Sequence, residues 1–122
     1  DTLKVNIYGE VKTVRLIGVD TPETKHPKKK VEYFGKEASA FTKQQVEEKY
    51  VTLEFEKKGK ADRYGRLLAY VWYEDRKLCL NEELILQGYG FAYLKYPHQR
   101  MEYYKQLQYE AMEEKAGLWK DK

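Results

Sequence analysis

Cysteine, histidine, proline and long apolar runs are all scarce in this sequence. One cysteine, Cys79, in 122 residues excludes an internal disulfide and leaves the redox compartment unreadable. Two histidines, His26 and His98, stand far apart, so no Cys/His cluster offers a zinc site. The longest apolar run, Leu67 to Tyr73, falls far short of the roughly 20 residues a membrane-spanning helix needs, so no membrane partner is expected. No secretory leader is visible ahead of Asp1, which fits a mature exported form and a trimmed chain equally well. Charge, by contrast, is abundant: 23 Lys and Arg against 20 Asp and Glu. With both signs present and 42% hydrophobic residues, the composition is that of a folded chain, and the length suits one domain.

The net charge of +3 is unevenly spread. Residues 25–30 carry four lysines and no acid, and residues 57–66 carry five bases against one acid. Both segments contain Pro or Gly and lack apolar periodicity, so they are expected to be loops. A basic loop is often only solvated surface, but two of them around an acidic constellation would attract phosphates in a salt-dependent way. Twelve tyrosines add to this. Tyr64 lies inside the second basic segment, and Tyr93 and Tyr96 lie just before Pro97; aromatics interleaved with bases hold single strands by stacking and charge neutralisation. For Tyr33, Tyr50, Tyr103 and Tyr109, packing with the hydroxyl at the surface is the simpler expectation.

Alternation predicts a strand over Leu3, Val5 and Ile7, a reversal at Gly9-Glu10, and a second strand from Val11 to Val19 ended by Asp20-Thr21-Pro22. A helix is expected over Gly35 to Lys49, then strands at Val51 to Phe55, 67–73 and Lys77 to Leu80. Asn81 reads as the N-cap of a short helix, Glu82 to Gln87, stopped by Gly88. Tyr89 to Leu94 is ambiguous, and Met101, Tyr104, Leu107 and Ala111 mark a last helix. Five short strands with helices inserted and appended read as α+β, and the order fits a small, partly open barrel of the oligonucleotide-binding (OB) type. Cys79, Trp72 and Trp119 read as packing residues.

The chemistry concentrates in Val14-Arg15-Leu16-Ile17-Gly18-Val19-Asp20-Thr21-Pro22-Glu23. Taken alone, Asp-Thr-Pro-Glu is a turn and helix-cap signature. If the first two strands pair about Gly9-Glu10, Tyr8 faces Val11 and Asp1 faces Gly18, which brings Asp1 within about two residues, ~7 Å, of Asp20. Oxygen-only ligands suit a hard cation, calcium first and magnesium second. A phosphodiester hydrolase would need such a cation, a base and fixed positive charge. Glu23 is the candidate base and Arg15 and Arg66 the candidate clamps, since guanidinium matches phosphate oxygens bidentately.

The stretch Val19 to Lys29, together with Glu37-Ala38-Ser39-Ala40-Phe41-Thr42-Lys43 and Asp62 through Tyr70, closely resembles the staphylococcal nuclease (thermonuclease) family, and the similarity runs over nearly the whole chain. The resemblance implies one domain over 1–122, an OB-fold five-stranded barrel with three α-helices. It also implies a calcium-dependent endonuclease that cleaves single-stranded or unpaired DNA and RNA to leave 3′-phosphate ends. Asp1 and Asp20 would then hold calcium (Ca2+) through their carboxylates and Thr21 through its carbonyl. Glu23 would be the proposed general base, and Arg15 and Arg66 would stabilise the phosphate. Lys29, Arg63, Tyr64 and Tyr93 would contact the nucleotide. Arg63 replaces the family's Lys, and Lys95 stands where a Tyr of the base-stacking wall is expected. The family's first strand would precede Asp1, so the expectation is a domain truncated at its N-terminus. It would be monomeric when that strand is present and prone to self-association through an open edge otherwise. Family resemblance also suggests a secreted or cell-surface location. The rival reading is a non-catalytic OB-fold module that binds single-stranded nucleic acid. A purely structural reading, in which acids and arginines are surface ion pairs, leaves the two basic loops unexplained.

Overall fold

The computed structural model describes residues 2–22 and 34–120. The alternation at Leu3, Val5 and Ile7 forms β1 (Thr2–Ile7), and β2 (Glu10–Leu16) returns antiparallel to it. Pairing joins Ile7 to Glu10 and Thr2 to Arg15, two residues away from the register expected from a Gly9-Glu10 turn. The turn is Tyr8-Gly9, because these two residues take positive φ of 52° and 87°. Such a two-residue turn matches the right-handed twist of its strands, and Asn6 Oδ1 accepts the Gly9 N–H at 2.7 Å. The facing of Asp1 with Gly18 belonged to the other register, and Asp1 itself lies outside the described residues.

The expected strand over 11–19 is broken. β3 (Val19–Asp20) leaves the main sheet at Ile17-Gly18 and pairs antiparallel with β7 (Phe91–Ala92), which resolves the ambiguous Tyr89 to Leu94 segment as extended. The turn is made at Gly18, whose φ is 77°, and Arg15 ties its two sides by donating to the carbonyls of Leu16 at 2.6 Å and Val19 at 2.9 Å.

β4 (Thr52–Glu54), β5 (Leu67–Tyr73) and β6 (Leu78–Cys79) complete a five-stranded mixed sheet in the order β1-β2-β5-β4, with β6 also on β5. The β2–β5 pair is parallel and the others are antiparallel. Among the described residues three α-helices pack around it: α1 (Gly35–Val46), α2 (Leu80–Leu86) and α3 (Met101–Glu113), with a 3₁₀ turn at Gly117–Trp119. The α+β class and helix count are as expected. The barrel is not closed among the described strands: a cavity of about 1000 Å³, lined by Leu3, Val5, Val46, Val51 and Leu53 among others, opens between β1 and β4. No helix of the described residues is long and apolar enough to cross a membrane.

Val14, Leu16 and Val19 meet Ala69, Tyr70 and Val71 of β5, Leu80, Leu84 and Ile85 of α2, and Tyr104 and Leu107 of α3 in one core. Cys79 is buried there as expected, and burial pushes its thiol up to about 11. Tyr50 and Tyr109 depart from expectation and stay mostly exposed, Tyr50 completely, whereas Tyr103 is about half exposed with its ring 6.2 Å from that of Tyr104. Tyr33 lies outside the described residues.

Asn81 does not cap α2. The helix begins two residues earlier than expected, at Leu80, and the Asn81 side chain is wholly buried. Its Oδ1 accepts the Val71 N–H at 3.0 Å, and its Nδ2 donates to the Ile17 carbonyl at 2.8 Å and the Ala69 carbonyl at 3.1 Å. The cap signature was local, whereas the side chain serves two strands far away in sequence.

Candidate active site

Parallel pairing brings the two candidate clamps together. Arg15 lies opposite Leu68, and because side chains two apart in an extended chain share a side, Arg66 comes to the same side of the sheet as Arg15. Arg15 is half-buried. Burial lowers its pKa, and Asp20, Tyr93 and Asp62 oppose that shift while Arg66 adds to it. A guanidinium stays protonated at physiological pH regardless. Asp20, Tyr93, Asp62 and Arg66 thus all lie near enough to act on Arg15, although they come from β3, the segment after β7 and the 57–66 loop.

Arg66 is aimed by Asp62, which sequence reasoning counted only as the single acid of a basic run. Asp62 Oδ2 accepts Arg66 Nε at 2.7 Å, and Oδ1 accepts the N–H groups of Tyr64 and Arg66, each at 2.9 Å. The backbone closes the same turn, with Asp62 N–H to the Arg66 carbonyl at 2.8 Å and Gly65 N–H to the Asp62 carbonyl at 3.1 Å. Burial pushes the Asp62 carboxyl pKa up, but the bonds from Arg66 and Tyr64 outweigh it, so the net shift is downward. An Asp ahead of a Gly in a polar run is the available signal for such a turn. Among the described residues Asp62 is the hydrogen-bond partner of the Arg66 guanidinium and takes only Nε, which leaves both terminal nitrogens to meet an oxyanion. The exposed ring of Tyr64 lies beneath both Arg63 and Arg66, with centroid distances of 5.1 and 5.5 Å. Arg63 also donates to the Tyr64 hydroxyl at 3.0 Å. Of the four residues expected beside the nucleotide, Tyr64 thus lies against the candidate clamp Arg66, and Arg63 lies against Tyr64.

Asp20 pairs with Phe91, and Thr21 follows it out of β3. Gly90 makes this approach possible: a Cβ there would lie 2.9 Å from Val19 Cγ2, 3.2 Å from the Asp20 carbonyl oxygen and 3.3 Å from Thr21 Cγ2. The pair offers a carboxylate and a carbonyl, donors that fit a hard cation. Among the described residues no three acids, cysteines or histidines gather. Asp1 and Glu23, the other carboxylates of the expected set, lie outside the described residues, as does Lys29.

Tyr93 closes the site from the far side. Its N–H donates to the Gly18 carbonyl at 2.9 Å, and Arg15 sits 5.3 Å from its ring centroid. The segment after it is anchored by a group the sequence did not reveal, the buried Glu56. This carboxylate accepts the Gln99 N–H at 2.6 Å and the Tyr70 hydroxyl at 2.7 Å. The Tyr70 hydroxyl also touches His98 Nδ1 at 3.0 Å. Burial pushes the Glu56 pKa up, but Gln99, Tyr70 and Lys58 bring it below its usual value. Burial pushes the His98 pKa down; Glu56 opposes this, and Lys58 and Arg100 reinforce it. Both groups therefore bind protons more readily in the unfolded chain, so stability is lost as pH falls. The thermal midpoint is expected to drop first below about pH 6.5, from His98, and again below about 4.3, from Glu56. Thermal scans of a His98→Gln variant are expected to lack the first drop and keep the second. An unchanged first drop in that variant would assign it to another group.

Residues 13–121 match the family model described as staphylococcal nuclease homologue. Over 120 residues and 98% of its length, the chain is 42% identical to the thermonuclease of Staphylococcus hyicus, of which it covers 69%. It is 39% identical to the thermonuclease of Staphylococcus intermedius, covering 70% of that protein. It is also 39% identical to the SPbeta prophage-derived endonuclease YokF of Bacillus subtilis (strain 168), of which it spans only 40%.

Proposed function

Because the chain belongs to the staphylococcal nuclease homologues, we propose that it is a nuclease, and that it hydrolyses phosphodiester bonds of single-stranded or unpaired DNA and RNA in a calcium-dependent way to leave 3′-phosphate ends. The observation that carries this reading is the convergence of two arginines, one half-buried and one locked by Asp62, beside Asp20 and Tyr93. Two guanidinium groups on one side of a sheet fit a phosphate whose negative charge grows as water adds to phosphorus. The carboxylates of Asp1 and Asp20 and the carbonyl of Thr21 would hold calcium. When bound, calcium supplies charge neutralisation at the phosphate and a lowered pKa for nearby water. Glu23 accepts the proton of the attacking water, Arg15 and Arg66 hold the phosphate oxygens, and the bond to the 5′ oxygen breaks, that oxygen taking up a proton from solvent to leave as a hydroxyl. Tyr64, Arg63, Tyr93 and Lys29 contact the nucleotide around it.

Cleavage of a single-stranded oligonucleotide tests the proposal directly. Calcium-dependent cutting with 3′-phosphate products, stopped by a calcium chelator and reduced by at least about 10²-fold in Glu23→Ser, is the expected result. Salt-sensitive binding of the same strand without cleavage under any of these conditions would overturn it in favour of the non-catalytic module.

A further inference from the structure

Gly18 stands where β2 turns into β3, and several groups of the candidate site hang from it. Arg15 ties the Leu16 and Val19 carbonyls across the bend, and Asp20 follows two residues on. The Gly18 carbonyl accepts the Tyr93 N–H at 2.9 Å. The direction a side chain would take from Gly18 leads onto the ring of His98. A Cβ there would lie 2.5 Å from His98 Nε2, 2.6 Å from its Cε1 and 2.8 Å from Cδ2 of Tyr104. The imidazole therefore fills the place of the side chain that Gly18 lacks, and Tyr104 closes it in edge-to-face, with centroids 5.1 Å apart.

The other edge of the ring is anchored. Tyr70 gives its one hydroxyl proton to the buried Glu56 carboxylate at 2.7 Å, a charge-assisted bond. Its oxygen then accepts from His98 Nδ1–H at 3.0 Å, while the Arg100 N–H lies farther from Nδ1, at 3.3 Å. A neutral ring held in this way turns a bare Nε2 toward Gly18, and that atom is buried without a hydrogen-bond partner among the described residues. A second ring proton would sit on Nε2 with nothing to accept it, which carries the full cost of a buried unmade bond. The added charge would face Lys58 and Arg100, with Glu56 alone opposing them. Tyr70 and Tyr104, the other titratable groups against the ring, are held protonated by burial and offer no compensating charge.

We propose that His98 is a positioning residue of this site: its neutral imidazole, anchored to Tyr70 and Glu56, props Gly18 so that the bend keeps Arg15, Asp20 and Tyr93 in their relative places, and the protonated imidazole does not. This rests on the nuclease reading for the reaction it serves, and His98 itself touches no substrate. The consequence is an acid-side gate. Activity is present while His98 is neutral and is lost as pH falls through its pKa, which burial holds below the ordinary value of about 6.5.

Two substitutions divide the ring. The amide of His98→Asn takes the place of Nδ1 toward Tyr70 and leaves the space over Gly18 empty, whereas the longer His98→Gln reaches the place of Nε2 and fills it. Cleavage of a single-stranded oligonucleotide is followed from pH 5 to 9 in saturating calcium, well below each melting midpoint. His98→Asn is expected to lower kcat by about 10- to 10²-fold, the effect of a misplacement on the order of 1 Å in an active site, with KM within about 3-fold. His98→Gln is expected to keep kcat within about 3-fold of the parent at pH 8 and to lack the parent's fall below about pH 6.5. Protonation of a carboxylate base, centred near pH 4.3, lies lower and is common to all three. The Tyr93 amide signal in ¹H–¹⁵N spectra without calcium gives a readout independent of cleavage. As pH falls, its bond to the Gly18 carbonyl is expected to weaken in the parent, moving the proton signal upfield, with no such step in His98→Gln. A kcat for His98→Asn within about 3-fold of the parent, or a Tyr93 signal in the parent that ignores the His98 titration, would reduce His98 to a packing residue. If the Tyr93 signal titrates as expected but the parent cuts nothing in calcium, the positioning role stands and the nuclease reading falls.

Discussion

Arg66→Lys is expected to lower kcat on single-stranded DNA by about 10² to 10³-fold, the size of effect found when one charge-stabilising donor leaves a transition state, with little change in KM. The net charge of the site is kept, so simple attraction of the strand survives. What goes is the division of labour within the guanidinium: Nε is held by Asp62 at 2.7 Å, which leaves the terminal nitrogens for the phosphate of the proposed substrate. A lysine ammonium is a single point and must choose between Asp62 and the phosphate. Because Arg66 is partly exposed and its backbone bonds to Asp62 persist in the variant, the thermal midpoint is expected to stay within a few degrees of the parent. Steady-state kinetics combined with a melting curve decide the matter. A kcat within about 3-fold of the parent would reduce Arg66 to a structural partner of Asp62, since a transition-state contact must appear in kcat.

The contrast between Arg66 and Asp62 shows what the sequence could disclose. Arg15, Asp20 and Arg66 could be named as candidates because their residue types and local setting, a strand end and a Gly-containing basic loop, suit the chemistry of phosphate transfer. The strands were legible wherever one face is buried, as in the alternation of β1 and the apolar run of β5. The features that join these pieces are non-local and were not. Parallel pairing of β2 with β5 links residues more than fifty positions apart, and no local pattern announces it. The hairpin register turned on whether Tyr8 or Glu10 enters the turn, and a positive φ at a tyrosine is a poor bet from sequence. The break after Leu16 was hidden because the residue that ties its two sides is Arg15, already assigned to phosphate binding. Glu56 and Asn81 were hidden for the same reason: a polar residue next to a strand or helix end looks like a solvated cap until tertiary packing buries it.

Asn81 carries the largest stability effect expected of a polar side chain here. In Asn81→Ala the Val71 N–H and the Ile17 carbonyl each lose the one buried partner seen among the described residues, whereas the Ala69 carbonyl keeps the Ile17 N–H at 3.1 Å. Two orphaned buried groups cost about 2–5 kcal/mol together, a large share of a typical domain's ~5–15 kcal/mol. Urea unfolding is expected to show the midpoint falling sharply with an unchanged slope; a loss under about 1 kcal/mol would mean that the neighbouring strands close over the gap. Asn81→Asp separates hydrogen bonding from size. Its ionised carboxylate still accepts from Val71 but can only repel the carbonyls of Ile17 and Ala69, whereas its protonated form can donate to one of them. Burial raises such a carboxyl pKa on folding, so its contribution to stability is present at low pH and lost as pH rises; Asn81→Asp is therefore expected to approach the parent near pH 4 and fall below Asn81→Ala near pH 8. The consequence reaches the site through Ile17, which stands between Arg15 and Asp20 at the bend where β2 becomes β3. Loss of its carbonyl's partner frees that bend, so folded Asn81→Ala measured well below its melting point is expected to cut more slowly than the parent even though no atom of Asn81 approaches the substrate.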